Sequence, residues 1–313
     1  MVISLRNLTR AFGDNLALDA ASFEVAAGEV FGLLGHNGAG KTTTVRLLNG
    51  LLEPTSGSAS VFGLDPSRDG TQIRRRTGVS TETPSVDDRM TGRDTLHYFA
   101  ELYGVPKREV AGRTTALLAG YGLIGAADDR VGSYSKGMKQ RLALARTLIH
   151  EPELLFLDEP TSGLDPVATK GVNELIGRLS REEGRTVLLC THNLAQAQQL
   201  CQRVAVLEKG RVVALGAPHE LARDLGMRRS IELQLGDGEL GRALTLLRSR
   251  PEFGTATGTG GTLQVTTVER ELIPELVRLL AAEGLHIYSV ETSEPSLEDV
   301  YFELYDRQSG ATA

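Results

Sequence analysis

"EVFGLLGHNGAGKTT", residues 29–43, decides the fold. Its first half is a short apolar run that ends in glycine, the mark of a buried strand, and its second half opens a helix near Lys41. The turn between them fits G-x-x-x-x-G-K-[ST]. Gly35, Gly38 and Gly40 let the backbone wrap close to phosphate oxygens, Lys41 is placed to reach β- and γ-phosphates, and Thr42 to hold Mg²⁺. His36, Asn37, Ala39 and Thr43 complete the candidate nucleotide-binding stretch, with His36 expected to contribute mainly its backbone.

Working outward, strand patterns alternate with helix patterns. "VISLRNLTRAF" and "SGSASVFGL" read as strands on either side of the loop and its helix. Residues 90–150 read as helices, with Leu96, Phe99, Ala100 and Tyr103 three and four apart. From 153 the reading is strand ("ELLFLDEP"), helix, strand ("TVLLCTH"), helix, then the hairpin "RVAVLEKGRVVALG". This order predicts a three-layer α/β domain over residues 1–221, its sheet largely parallel, with a helical insertion at about 84–150. A composition change follows near 222. Residues 222–313 read as strand, helix, strand, helix, strand and a short helix, a small α+β domain. The glycine-rich "GTATGTGG" at 254–261 reads there as a hairpin or loop, because no Lys-Ser/Thr follows it.

Bulk properties exclude several classes. The chain has 313 residues, 41% of them hydrophobic and 24% charged, as expected of a globular protein of two domains. A net charge of −6 gives no general pull toward nucleic acid. No apolar run approaches the roughly 18 residues of a membrane span, and the N-terminus lacks a signal-peptide pattern. Any membrane role is therefore expected to pass through a partner. Cys190 and Cys201 sit in no CxxC pair, and the six histidines show no ligand spacing. Cys190 ends the run "TVLLC" and reads as a small buried hydrophobe in a reducing cytosol, a metal or disulfide role being the alternative.

Two further stretches carry chemistry. In "LLFLDEP", 154–160, four apolar residues bring Asp158 to the end of a buried strand, where a carboxylate can order Mg²⁺. Glu159 follows, placed as general base for an attacking water. In "YSKGMKQRLALAR", 134–146, Ser135 reads as the cap of a helix with Gly137 in its first turn, a second anion-binding helix end. The phosphate loop and strand-end acids alone leave kinases, GTPases and helicases open.

Together with "SGLDP" at 162–166 and His192, these ordered motifs resemble the ATP-binding cassette (ABC) family of transport ATPases, over residues 1 to about 220. The resemblance implies a P-loop NTPase fold, with ATP and Mg²⁺ as cofactors. "YSKGM" then stands as the signature motif and "SGLDP" as the D-loop. His192 stands as the switch histidine on the γ-phosphate, and Phe12 as the aromatic that stacks on adenine. Two cassettes of the family pair head to tail, so Ser135, Gly137 and Asp165 would act in trans on a partner's ATP. A single P-loop implies a homodimer or a heterodimer with a second cassette. The family's usual glutamine between P-loop and signature is missing, and "TGVSTETPS" aligns Glu82 with it as a ligand of Mg²⁺ and the attacking water.

"EPSLEDVYFELY", 294–305, and the Lys136 and Met138 of the signature resemble ATP-binding subunits of bacterial drug-type exporters, which keep the permease on a separate chain. The chain is accordingly expected at the cytoplasmic face of the membrane, docked through the helical block and the groove near Glu82. Residues 222–313 could be a dimerisation or regulatory cap. A soluble cassette ATPase acting on ribosomes or DNA is a second reading, and a nucleotide kinase a third. The former usually carries two cassettes or a long coiled coil, and the latter has no use for the signature.

Overall fold

The computed structural model describes residues 1–83, 86–227, 229–267 and 271–310. The chain divides into two compact units at residues 217 and 218. The first opens with the hairpin β1 (Ile3–Phe12) and β2 (Asn15–Val25), then β3 (Val30–Leu34) and, after the glycine loop, α1 (Lys41–Leu48). β4 (Ser56–Val61), α2 (Pro66–Arg75) and β5 (Thr77–Ser80) follow. Next come three mutually packed helices, α3 (Gly92–Leu102), α4 (Lys107–Gly120) and α5 (Lys136–Leu148). The expected start of this helical block near residue 84 lies outside the described residues. The alternation resumes with β6 (Leu154–Asp158), α6 (Pro166–Arg181), β7 (Thr186–Thr191) and α7 (Leu194–Leu200). The hairpin β8 (Arg203–Glu208) and β9 (Arg211–Gly216) closes the unit.

Six strands form one sheet in the order β5-β6-β7-β3-β8-β9, parallel except for β9. Every residue of β3 and β7 is buried, as is all of β6 but Asp158. Continuous apolar strands of this kind need cover on both faces, which is why the sequence lacks strand alternation here. A separate antiparallel sheet, β2-β1-β4, packs onto the same core, where Phe23 of β2 stacks on Phe31 of β3 at 5.2 Å and 12°. Parallel registry gathers the strand C-termini on one edge. Leu34 pairs with Thr191, Asp158 with Cys190, and Ser80 with Leu157. In doubly wound sheets that edge is where ligands bind.

The second unit starts with α8 (Pro218–Asp224) and continues as β10 (Arg229–Leu235), α9 (Leu240–Arg248), β11 (Thr255–Thr259), β12 (Thr262–Thr267), α10 (Leu272–Ala282) and β13 (Ile287–Ser293). α11 (Leu297–Gly310) follows and packs against α8. The sheet order is β11-β12-β10-β13, antiparallel throughout, so each helix returns the chain past one intervening strand. Ile231, Leu233, Leu263 and Val265 bury one face against Ala243, Leu247, Leu276 and Leu280. One boundary shifts and one strand is added. The boundary drawn between 221 and 222 cuts through α8, which packs within the second unit, so the division falls four residues earlier. The glycine-rich 254–261 forms a hairpin with β12, one of the two forms expected, and its first arm β11 makes the sheet one of four strands where three were read. Gly258 suits it because a Cβ there would lie 2.8 Å from the Thr262 carbonyl oxygen. Among the described residues no helix is long and apolar enough to cross a membrane.

Candidate functional site

The glycine loop joins β3 to α1 with no slack. A Cβ on Gly35 would sit 2.4 Å from the Leu207 carbonyl oxygen, and one on Gly40 would sit 2.6 Å from that of Ala17. Gly40 also has φ 113°, a conformation that side chains other than glycine's rarely adopt. It caps α1 without a side-chain bond, and no acid lies in the first turn, so the helix end keeps its free N–H groups and positive dipole for an anion.

Lys41, buried at that helix end, donates to the Gly35 carbonyl at 2.5 Å and lies 3.8 Å from Glu159 Oε1. Thr42 Oγ1 donates to Asp158 Oδ2 at 3.1 Å. Glu159 has φ 48°, a strain of about 1–3 kcal/mol. Its carboxylate accepts from Thr191 Oγ1 at 3.1 Å and from the His192 amide at 2.9 Å, and pairs with His192 Nδ1 at 2.7 Å. Hydrogen bonds to an ionised group contribute about 1.5–3 kcal/mol each, so this clamp outweighs the strain. It fixes Glu159 at the mouth of β6.

These side chains border a cavity of about 620 Å³, at whose other end stand Phe12 and the β1–β2 hairpin. The sequence reading anticipated Phe12, His36, Asn37, Gly38, Gly40, Lys41, Thr42, Thr43, Glu82, Asp158 and Glu159, all of which border it. Gly35 and Ala39 do not line it, and Ala39 lies in the core cluster. His192 meets the site through Glu159. Ser135, Gly137 and Asp165 do not border the cavity. Ser135 caps α5 by accepting from the Met138 amide, and Asp165 caps α6 by accepting from Val167 and Ala168. A Cβ on Gly137 would lie 3.1 Å from Ala168 Cβ, so these two helix ends pack together. Asn15, Leu16, Ala17 and Lys209 also line the cavity, and nothing in their own sequence marks them.

The electrostatics are those of a cation site. Burial pushes the Asp158 carboxyl above its ordinary value against the hydrogen bond from Thr42, and the charges of Glu159 and Glu82 push the same way. Three carboxylates, Asp158, Glu159 and Glu82, thus share a cavity with two lysines, Lys41 and Lys209. The Thr42 hydroxyl beside the Asp158 oxygen is a hard donor set, which fits a small divalent ion such as Mg²⁺. Cys190 is fully buried, and burial raises its thiol well above the usual range. Cys201 is pushed up to about 12 by burial.

A family profile described as ABC transporter matches residues 18–162. The chain is similar to a fluoroquinolones export ATP-binding protein of Mycobacterium tuberculosis, 41% identical over 98% of this chain and 94% of that one. It is also similar to Nod factor export ATP-binding protein I of a Rhizobium species, 37% identical over 98% of each chain. Among solved structures, an ATP binding subunit of an ABC transporter shares 32% identity and a TM-score of 0.66, over 72% of this chain and 94% of that one. Matched along almost its whole length by ATP-binding proteins of this kind, the chain belongs to the ABC transporter family as an ATP-binding, ATP-hydrolysing subunit.

Proposed function

We propose that the chain energises export through a separate membrane permease, at the cytoplasmic face, by hydrolysing ATP·Mg²⁺ between two cassettes. The observation that carries the reading is the meeting of Lys41, Thr42, Asp158 and Glu159 at the C-terminal ends of β3 and β6. The export direction and drug-type branch are supported by the two full-length relatives, whose names are those of export proteins.

In this reading Phe12 stacks on the adenine, while Lys41 and the amides of the loop from Gly35 to Thr43 hold the triphosphate. Thr42, Asp158 and Glu82 hold Mg²⁺, which when bound draws charge from the phosphate oxygens. Glu159 orients the attacking water and takes its proton, and its clamp by Thr191 and His192 supports this role by fixing its oxygens. His192 reaches the γ-phosphate once Glu159 releases it. Ser135, Gly137 and Asp165 complete a partner's site in trans, a reading supported by their place outside this chain's own cavity.

The test is transport. Inverted vesicles holding the chain with its permease should accumulate substrate only with hydrolysable ATP, and the chain should sediment with membranes only when the permease is co-expressed. Membrane binding without the permease, or uptake driven equally by a non-hydrolysable analogue, would refute the proposal.

A further inference from the structure

We propose that Arg10 is a positioning residue for nucleotide binding: it holds the Phe12 ring from behind so that the ring's other face is free for the base. The inference rests on the reading of Phe12 as the adenine platform. Arg10 and Phe12 stand two apart at the end of β1, where the pairing with β2 shifts register between Arg10 and Ala11. The Arg10 guanidinium carbon lies 4.5 Å from the Phe12 ring centroid. Phe12 borders the cavity and is 44% exposed, whereas Arg10 does not border it. One ring face is therefore covered by a cation that stands outside the pocket.

The guanidinium is itself held. Arg10 Nη1 donates to the Glu53 carbonyl at 2.9 Å. The neighbouring backbone is tied to the same loop, since Thr55 N donates to the Thr9 carbonyl at 2.8 Å and the Ala11 amide to Thr55 Oγ1 at 3.0 Å. Arg10 Nε is out of water with no hydrogen-bond acceptor. A guanidinium left partly unsatisfied gains most from an electron-rich ring face. Phe12 ends its strand at the Gly13–Asp14 turn and lies at an exposed tip, so without this backing its χ1 rotamers are open. The cation also draws π-density from the free face, which favours stacking with an electron-rich purine.

The experiment measures affinity of the full chain for ATP and, as a base-free probe, for tripolyphosphate. Arg10→Met keeps the aliphatic stem and removes the charge. It should weaken ATP binding about three- to fivefold, the size of a partly desolvated cation–π contact, and leave tripolyphosphate affinity unchanged. Arg10→Lys should recover part of the loss. In a Phe12→Ala background, Arg10→Met should add nothing. Equal weakening of both ligands, or an undiminished Arg10→Met effect without the ring, would overturn the inference. So would unchanged ATP affinity in Arg10→Met when Phe12→Ala is weakened. If Phe12→Ala itself binds ATP as wild type does, the platform reading fails and takes this one with it. Should Arg10→Met not fold, Arg10→Gln carries the same comparison.

Discussion

Two helix ends in the first unit are built to attract an anion, and they differ in everything around them. At α1 the cap is Gly40, and Lys41, Asp158 and Glu159 converge within a walled cavity. At α5 the cap is the Ser135 hydroxyl and the first turn carries no acid. Its neighbours are the backbone of the "SGLDP" turn and the start of α6. The Lys136 amine lies where a side chain on Gly163 would go, and Gly137 faces Ala168. Anion binding is thus a local property of four or five residues, readable from capping and glycine alone. Hydrolysis, as proposed, is a tertiary property: it draws on the strand-end carboxylates Asp158 and Glu159, which stand beside α1. In the proposed reading the α5 end is half a site, and a second cassette would supply the other half.

The comparison breaks most visibly at the α1 end. Glu159→Gln should keep ATP binding and lower hydrolysis by about 10²–10³-fold, the usual worth of a positioned base. The ATP-loaded variant should also accumulate as a dimer in light scattering. Turnover at the wild-type rate would remove Glu159 from the mechanism and leave α1 no more complete than α5.

The α5 end gives the next largest effect. Gly137 tolerates little, because a Cβ there already lies 3.1 Å from Ala168 Cβ. Gly137→Val should push the helix end off its phosphate. The loss of one charge-assisted contact of about 1.5–3 kcal/mol corresponds to roughly 10–100-fold slower hydrolysis. ATP binding to α1 should remain. A Lys41→Ala chain is dead at its own loop but keeps an intact α5 end. Mixed with Gly137→Val it should regain up to half of the wild-type rate, since one composite site is then whole. No recovery in the mixture would argue that α5 serves its own chain.

Why the sequence revealed one part of this site and not another follows from the distance along the chain. The loop at 35–43 and the acids at 158–159 are each contiguous, and each follows an apolar run that could only be a buried strand. The Ser135 cap is read from the residues beside it. Glu82 was placed by the absence of a glutamine, and it does border the cavity. Asn15, Leu16 and Ala17 open β2 and Lys209 lies in the β8–β9 turn, two places that meet the loop only in three dimensions, where the Gly210 amide donates to the Ala39 carbonyl. Arg10 carries no local mark for the same reason, since its partner Glu53 is 43 residues away. In the second unit the glycines of 254–261 leave hairpin and loop equally open, because glycine lowers strand propensity, and the structure settles on the hairpin β11–β12.

The smallest effect distinguishes the two ends by the sign of a stability change. Asp158 sits beside the α1 end with its carboxyl raised above the ordinary value by burial and by Glu159 and Glu82. An acid raised in the folded state holds its proton to higher pH folded than unfolded. Its stability contribution therefore falls as pH rises through the window between the two values, and the full cost is present above the folded one. At neutral pH the ionised Asp158 destabilises the nucleotide-free protein. Asp158→Asn should raise Tm by about 1–3 °C at pH 7.5 in calorimetry, and the gain should shrink as pH falls into that window. Hydrolysis should be lost in the same variant. Near the α5 end the carboxylate of Asp88 is exposed and pairs with Lys139 at 2.7 Å. Asp88→Asn should leave Tm unchanged or slightly lowered, because such pairs contribute about 0–1 kcal/mol. A charge that costs stability at the α1 end and none at the α5 end is what the proposed reading of a complete site and a half site requires. A lower Tm for Asp158→Asn at pH 7.5 would mean that Lys41 and Thr42 already compensate the carboxylate, and that the α1 end needs no cation to balance it.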